Sequence, residues 1–360
     1  MIDEGDLFER SAAQFDPPAD ALERFIARRE RHERNRRLAA AIVAAVIVGA
    51  IAAAAALFLR NPTEIKPAPA PDAFAGMHGW IAVGGTDQIT AVDPTGQSPN
   101  RVLWPTGGSP LAWSPDGSKL LVLRGSNLVV LSSDGTESIV TDLKGNEIPA
   151  GGSFTPDGNA VIYELGWSIL QVPIDGGEPT VIAKGDPQND QGYLFPFFRG
   201  GQVSSKGVIA YGPIPPANLR DGQVWLMHLD GSGPQKLIST SAFANTFGDV
   251  GLESIDAEAW SPDGSRLAIM AVSNKLPSGS VEAAAFVVNA DGTGLRRVTP
   301  DGINPWSITF SPDGRSIAGV DNGELVTVGL DGTVHRLGGV GGPQASSDLN
   351  SAWNPAPPDA

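Results

Sequence analysis

The chain has no cysteine among its 360 residues. That excludes disulfides, thiol nucleophiles and cysteine metal sites. Stability must then come from a hydrophobic core, which a chain of this length can bury. Histidine is scarce: His32, His78, His228 and His335 are the only four, and no two stand at metal-ligand spacing. There is no His-Glu-x-x-His segment and no Gly-x-Ser-x-Gly elbow, so neither a zinc-hydrolase nor a serine-hydrolase signature is present. Basic residues are outnumbered, 25 Lys and Arg against 40 Asp and Glu, for a net charge of −15. A chain so acidic is a poor partner for nucleic acid.

Only one long apolar run is present. Residues 38–59, LAAAIVAAVIVGAIAAAAALFL, carry no charge. A helix needs about 20 such residues to cross a bilayer. Arg24, Arg28, Arg29, Arg31, Arg34, Arg36 and Arg37 precede the run, and only Arg60 and Lys66 follow it closely. The positive-inside rule then places the N-terminus in the cytoplasm. The expected organisation is a cytoplasmic tail over 1–37, a single-pass membrane helix over 38–59, a Pro/Ala-rich spacer over 60–77 and an extracytoplasmic domain over 78–357. A cleaved signal peptide, cut near Ala70 to Ala75, is the competing reading. Signal peptides have apolar regions of about 7–15 residues after a short basic start, which favours the uncleaved anchor here. In the tail, Asp16-Pro17-Pro18 reads as a helix start, and Ala21 to Arg37 as a juxtamembrane helix. The alternating Pro and Ala of the spacer favour an extended chain of about 3 Å per residue, with a reach of roughly 50 Å.

Glycine and proline are abundant, at 44 and 30 residues. This excess suits many tight turns, and one phrase recurs, an aromatic residue followed by Ser/Thr-Pro-Asp-Gly and a short apolar strand. It occurs at Trp113–Gly117, Phe154–Gly158, Trp260–Gly264 and Phe310–Gly314. Proline presets φ for a turn, aspartate bonds back to the backbone and glycine takes the positive φ. Asp116, Asp157, Asp263 and Asp313 are therefore read as structural turn residues. A second set of turns follows each phrase, at Asp134-Gly135, Asp175-Gly176, Asp230-Gly231, Asp291-Gly292 and Asp331-Gly332. A period near 40–50 residues with four short strands per unit marks propeller blades. Five complete blades begin near residues 108, 149, 190, 250 and 302. The blade near 190 lacks the phrase but keeps its frame in Val203-Ser204-Ser205-Lys206-Gly207. Three further strands follow Gly79, and their missing partner is the C-terminal Leu349–Pro355, which echoes Leu111–Pro115. The expected fold is all-β: a six-bladed β-propeller whose C-terminal strand closes the first blade, preceded by one transmembrane α-helix. Closure removes exposed sheet edges.

These repeats resemble the WD40-like repeats of the TolB-like propellers, over about residues 78–357. The resemblance implies the fold. It does not extend over residues 1–77, so a role in the Tol system is not carried over with it.

In a four-stranded meander the first and third turns lie on one face, and here they are short. The second turns and the links between blades lie on the other face. The long insertions, 186–198, 212–222, 241–254 and 273–280, all fall there. Function tends to sit on loops carried by a rigid scaffold, and aromatics with arginine make good contact anchors. Tyr193, Asn218, Arg220, Asp221, Phe243, Phe247 and Asp249 are thus the candidate partner-binding residues. Oxygen donors at Asp186, Asn189 and Asp190, or at Asp249 and Glu253, are the candidates for Ca²⁺, but neither set has a calcium-loop signature. No metal, cofactor or catalytic residue is assigned. The expected function is a non-catalytic binding or scaffold module outside the cytoplasmic membrane, taking a protein, peptide or glycan of the cell envelope. Two alternatives stay open: a hydrolase or lactonase with carboxylates at the propeller channel, and a receptor signalling through its cytoplasmic tail.

Overall fold

The computed structural model describes residues 72–141, 148–149, 151–166, 168–184, 202–212, 222–247, 252–273, 282–339 and 350–355. The chain divides into two compact units, Met1–Ile65 and Lys66–Ala360. The described residues all belong to the second. The tail, the apolar run 38–59 and the spacer up to residue 71 lie outside them. Among the described residues no helix is long and apolar enough to cross a membrane.

The described residues form six antiparallel sheets. Blade one is built from Ile81–Val83, Ile89–Val92 and Arg101–Trp104, with Ser351–Trp353 as its innermost strand. The closing pair runs in the register Ile81↔Trp353, Ala82↔Ala352, Val83↔Ser351. Blade two runs through Ser109–Trp113, Lys119–Arg124, Asn127–Ser132 and Glu137–Ile139, and blade three through Gly152–Phe154, Ala160–Leu165, Ser168–Pro173 and Thr180–Lys184. Blades five and six repeat the pattern from Leu252–Trp260 to Arg296–Arg297 and from Trp306–Phe310 to Val334–Gly339. Blade four is described in part, since residues 185–201 lie outside the described residues. Among the described residues its sheet has three strands, Val208–Tyr211, Gln223–His228 and Gln235–Ser239. Its innermost edge is reduced, among the described residues, to the single bridge Val203↔Ile209.

Side-chain bonds and shared cores join the blades into a closed ring. The Trp113 indole donates to the Ala352 carbonyl across the joint between blades two and one, at 3.1 Å. The Trp260 indole makes the equivalent bond from blade five to the Gln202 carbonyl of blade four, at 2.8 Å. Leu121, Val130, Phe154 and Val161 share one core between blades two and three, and Ile162, Ile209 and Met227 share another between three and four. Between blades five and six, the fully buried Glu258 accepts the Ile308 main-chain N–H at 3.2 Å. Blade six meets the closing strand through Ser307, whose hydroxyl accepts the Ser351 N–H and whose carbonyl accepts the Ser351 hydroxyl. The aromatic of the repeated phrase is thus a staple between blades as well as a turn marker.

Two sequence expectations are corrected here. The spacer expected over 60–77 ends earlier. Residues 72–77 make a compact turn, and Phe74 (2% exposed) and Met77 join the core shared by blades one and two. Phe74 meets Trp113 edge-on at 4.9 Å and Trp104 at 6.1 Å, and the Ala73 N–H bonds to the Ser133 carbonyl. An aromatic ring dropped between two blades gains more by burial than an extended spacer would. The second correction concerns Phe243, expected on a partner-binding loop. Residues Thr240–Phe247 form a helix, and Phe243 is fully buried, edge-on to Phe286 at 4.9 Å. It is a core residue of the joint between blades four and five.

Candidate functional site

The innermost strands of five blades, with the bridged edge of blade four, converge on the ring axis, where small side chains recur. One residue before the stapling aromatic stand Ala112, Ser153, Ala259, Thr309 and Ala352. They line a central cavity of about 320 Å³ together with Pro115, Pro156, Pro262, Pro312 and Pro355 from the first turns. Blade four departs again: Gln202 takes the corresponding place and turns its amide to the Ala257 carbonyl of blade five. Among the described residues that line the cavity, none carries a carboxylate, imidazole or amine. The polar side chains it offers are hydroxyls, from Ser153, Ser204, Ser205, Ser261, Ser307, Thr309 and Ser351, with the amide of Asn350 and the indoles of the stapling tryptophans. Ser307 holds a positive φ of 57° within this wall, fixed there by its two bonds to Ser351.

The first turns form the rim. In blade two the Ser114 hydroxyl donates to Asp116 at 2.6 Å and accepts the Lys119 N–H at 2.8 Å, while Asp116 accepts the Ser118 N–H. The same 2.6 Å bond recurs from Thr155 to Asp157, Ser261 to Asp263 and Ser311 to Asp313. These bonds stabilise the ionised carboxylates. The Ser261 hydroxyl and the Ser265 donors lower Asp263 to about 2. Thr155 and Ser311 likewise lead in holding Asp157 and Asp313 below the ordinary carboxylate range. At Asp116 burial pushes upward, but the Ser114 and Ser118 bonds and nearby Lys119 outweigh it. The third turns repeat the device with a following Thr or Ser, as in Asp134 with Thr136 and Asp291 with Thr293. All these carboxylates are occupied by their own turns. Among the described residues no group of three His, Asp or Glu is arranged to hold a metal ion.

Blade four breaks the rim pattern. Ser204 still closes its turn, its hydroxyl accepting the Val208 N–H at 3.0 Å and the Lys206 N–H at 3.3 Å. Proline is replaced by Ser205 and aspartate by Lys206. Of the candidate partner-binding residues, Tyr193, Asn218, Arg220, Asp221 and Asp249 lie outside the described residues, as do Asp186, Asn189 and Asp190. Phe247 ends the helix Thr240–Phe247. The cavity lining was missed from sequence, although its signal was there: a small residue at a fixed offset before each turn proline.

No family model matches the chain, and no curated protein matches it. Solved structures do. TolB from Acinetobacter baumannii superposes with a TM-score of 0.52 at 18% identity, over 77% of this chain and 66% of that one. This chain therefore spans just under two thirds of that protein. A protein of Agrobacterium tumefaciens assigned to TolB gives 0.49 at 19% identity, over 76% and 97% of the two chains. A gluconolactonase from Xanthomonas campestris gives 0.43 at 21%, over 64% and 74%. Identities this low speak to the fold alone. The protein has the fold of the TolB-like six-bladed β-propellers.

Proposed function

We propose that this protein is a binding and scaffold module, held to the cytoplasmic membrane by residues 38–59 with its propeller outside the cytoplasm. It takes a peptide or loop of an envelope protein at the rim of the central cavity. The observation that carries this reading is the make-up of that cavity. Its volume of about 320 Å³ admits a few side chains, and its wall offers apolar surface with scattered hydroxyls. Such walls hold and orient a ligand. General acid–base chemistry needs titratable groups within hydrogen-bond reach of the substrate, and the described lining has none.

The test is site-specific photo-crosslinking in native envelopes. A photoreactive residue replaces Ser205 or Pro262, both exposed at the rim, or Val181, exposed on an outer strand of blade three. Discrete adducts from the two rim positions and none from Val181 are expected. Equal patterns from all three, or adducts from Val181 alone, would sink the reading. Protease protection of the propeller in intact spheroplasts tests the orientation: digestion from outside is expected, and full protection refutes it.

A further inference from the structure

The described blades carry an acidic balance except one. Among the described residues, each of blades one, two, three, five and six carries more carboxylates than Lys and Arg. Blade four carries Lys206 and Lys236 against Asp230 alone, with His228 exposed beside them. Lys206 occupies the position that is Asp116, Asp157, Asp263 or Asp313 in other blades. Those carboxylates are consumed by their own turns, whereas the Lys206 side chain serves no turn. Only its main-chain N–H is engaged there, by Ser204. The Lys206 stem runs along the neighbouring blade, so that a Cβ at Gly264 would come within 3.4 Å of its Cγ. Among the described residues no carboxylate pairs with its ammonium group.

Two concavities flank this turn, and Lys206 lines both. One, of about 170 Å³, lies between blades four and five with His228, Gln235 and Trp260 in its wall. The other, of about 450 Å³, lies between blades three and four with Thr155, Asp157 and Gln171. Asp157 is the one carboxylate among these, and it already accepts the Thr155 hydroxyl at 2.6 Å and the Asn159 N–H at 3.1 Å. The central cavity is adjacent, since Ser204 and Ser205 of the same turn line it.

We infer that the blade-four turn is an anchoring point for an acidic side chain, Asp or Glu, of the peptide segment seated at the central cavity. This rests on the binding reading proposed above and adds the chemistry of the partner. A carboxylate placed on Lys206 meets side-chain donors with no partner among the described residues, in Lys206 itself and in Gln171 or Gln235 on either side. Over the described first turns of blades two, three, five and six the same carboxylate meets an aspartate, with Lys119, Arg266 or Arg315 beside it in blades two, five and six. The arrangement therefore favours one rotational setting of the partner as well as attracting it, because among the described first turns this one carries a lysine where the others carry an aspartate.

The experiment selects a random linear peptide library against the full-length chain in detergent micelles, in parallel with Lys206→Gln and Lys206→Glu. Lys206 is exposed, and its turn is closed by Ser204, so both variants are expected to melt like the parent. Parent-selected peptides should share an Asp or Glu at one fixed offset from an apolar residue. Lys206→Gln should weaken them about fivefold, and Lys206→Glu should select Lys or Arg at that offset. Changing the peptide acid to its amide should cost the same factor against the parent and nothing further against Lys206→Gln. Peptides selected by the parent without an acidic position, or equally well bound by all three proteins, overturn this inference and leave the binding reading standing. Failure of every protein to select any peptide overturns both.

Discussion

Phe74 is the sharpest test of how the propeller is held together. It is 2% exposed, wedged between Trp104 of blade one and Trp113 of blade two. Removing a buried phenylalanine ring costs about 3–5 kcal/mol in lost transfer energy and residual cavity. Of that, the edge-on contact with Trp113 accounts for about 0.5–1.5 kcal/mol. Among the described residues, one main-chain hydrogen bond, Ala73 to Ser133, ties residues 72–77 to another blade. The segment can therefore peel away once the ring is gone, which spares the protein part of the cavity penalty. The lower end of the range, about 3 kcal/mol, is the expected cost of Phe74→Ala. For a domain of this size that is a fall in Tm of roughly 5 °C.

The assay is urea unfolding of the full-length protein in detergent, followed by tryptophan fluorescence, since Trp104 and Trp113 report on this joint directly. Phe74→Leu should recover about half the loss by refilling the notch. Val181→Ala, at a half-exposed outer-strand position, should stay within about 0.5 kcal/mol of the parent. A Phe74→Ala loss as small as that of the Val181 control would show that residues 72–77 are a spacer after all.

The other stability predictions follow from the joints and the rim. Trp260→Phe deletes the indole bond to the Gln202 carbonyl and trims the buried bicyclic ring, and should cost about 1.5–3 kcal/mol by urea unfolding; no change would mean Trp260 does not staple this joint. Trp353→Ala empties the closing strand and loses its indole bond to the Gly79 carbonyl, at 2.6 Å, so a loss of about 3–5 kcal/mol is expected, and parent-like melting would refute ring closure by that strand. The turn aspartates have folded pKa values below their unfolded value of 3.8, with Asp263 down to about 2. Their stabilisation is complete above the unfolded value and is lost as pH falls through the folded one. Tm should therefore drop between about pH 4 and pH 2, and Asp263→Asn should flatten that drop; an unchanged slope in the variant would refute the assignment.

Much of the architecture was legible because a repeat writes its own rules several times over. Ser/Thr-Pro-Asp-Gly at four places gives the first turns, and the echo of Leu111–Pro115 in Leu349–Pro355 gives ring closure. The packed lead-in was not legible because Phe74 stands alone, outside any repeat, in a stretch whose prolines and alanines read as extended chain. Phe243 was misplaced for a related reason. It follows a strand in a long inter-blade link, and the short stretch SAFANTF reads as loop unless Phe243 and Phe247, four apart, are taken as one helical face. The central cavity was harder still. Its residues are chosen for smallness by convergence of the innermost strands, and Ala112, Ser153 or Ala259 carries no chemical signature. Fold is encoded in residues that cannot be replaced without breaking a turn, whereas the cavity wall is encoded mainly by what is missing from it.

Blade four turns this redundancy into an experiment. The other blades show what a first turn needs: a hydroxyl that accepts the returning main-chain N–H, and a glycine at positive φ. Ser204 and Gly207 supply both, with Gly207 at a φ of 72°. Folding therefore does not require the proline or the aspartate, and Ser205 and Lys206 are free to serve another purpose. The double replacement Ser205→Pro/Lys206→Asp rewrites the turn as a copy of blade five. Proline at a compatible position restricts the unfolded chain and should stabilise by about 0.4–1 kcal/mol, and the new aspartate gains the Ser204 hydroxyl as a partner. Stability should thus stay level or rise, while binding of an acidic peptide should fall at least as far as in Lys206→Glu. Stability and binding then move in opposite directions in one variant, which a purely structural role for this turn does not allow. If the rewritten turn bound acidic peptides as well as the parent, Lys206 would be an ordinary surface lysine and the rim would have no preferred sector.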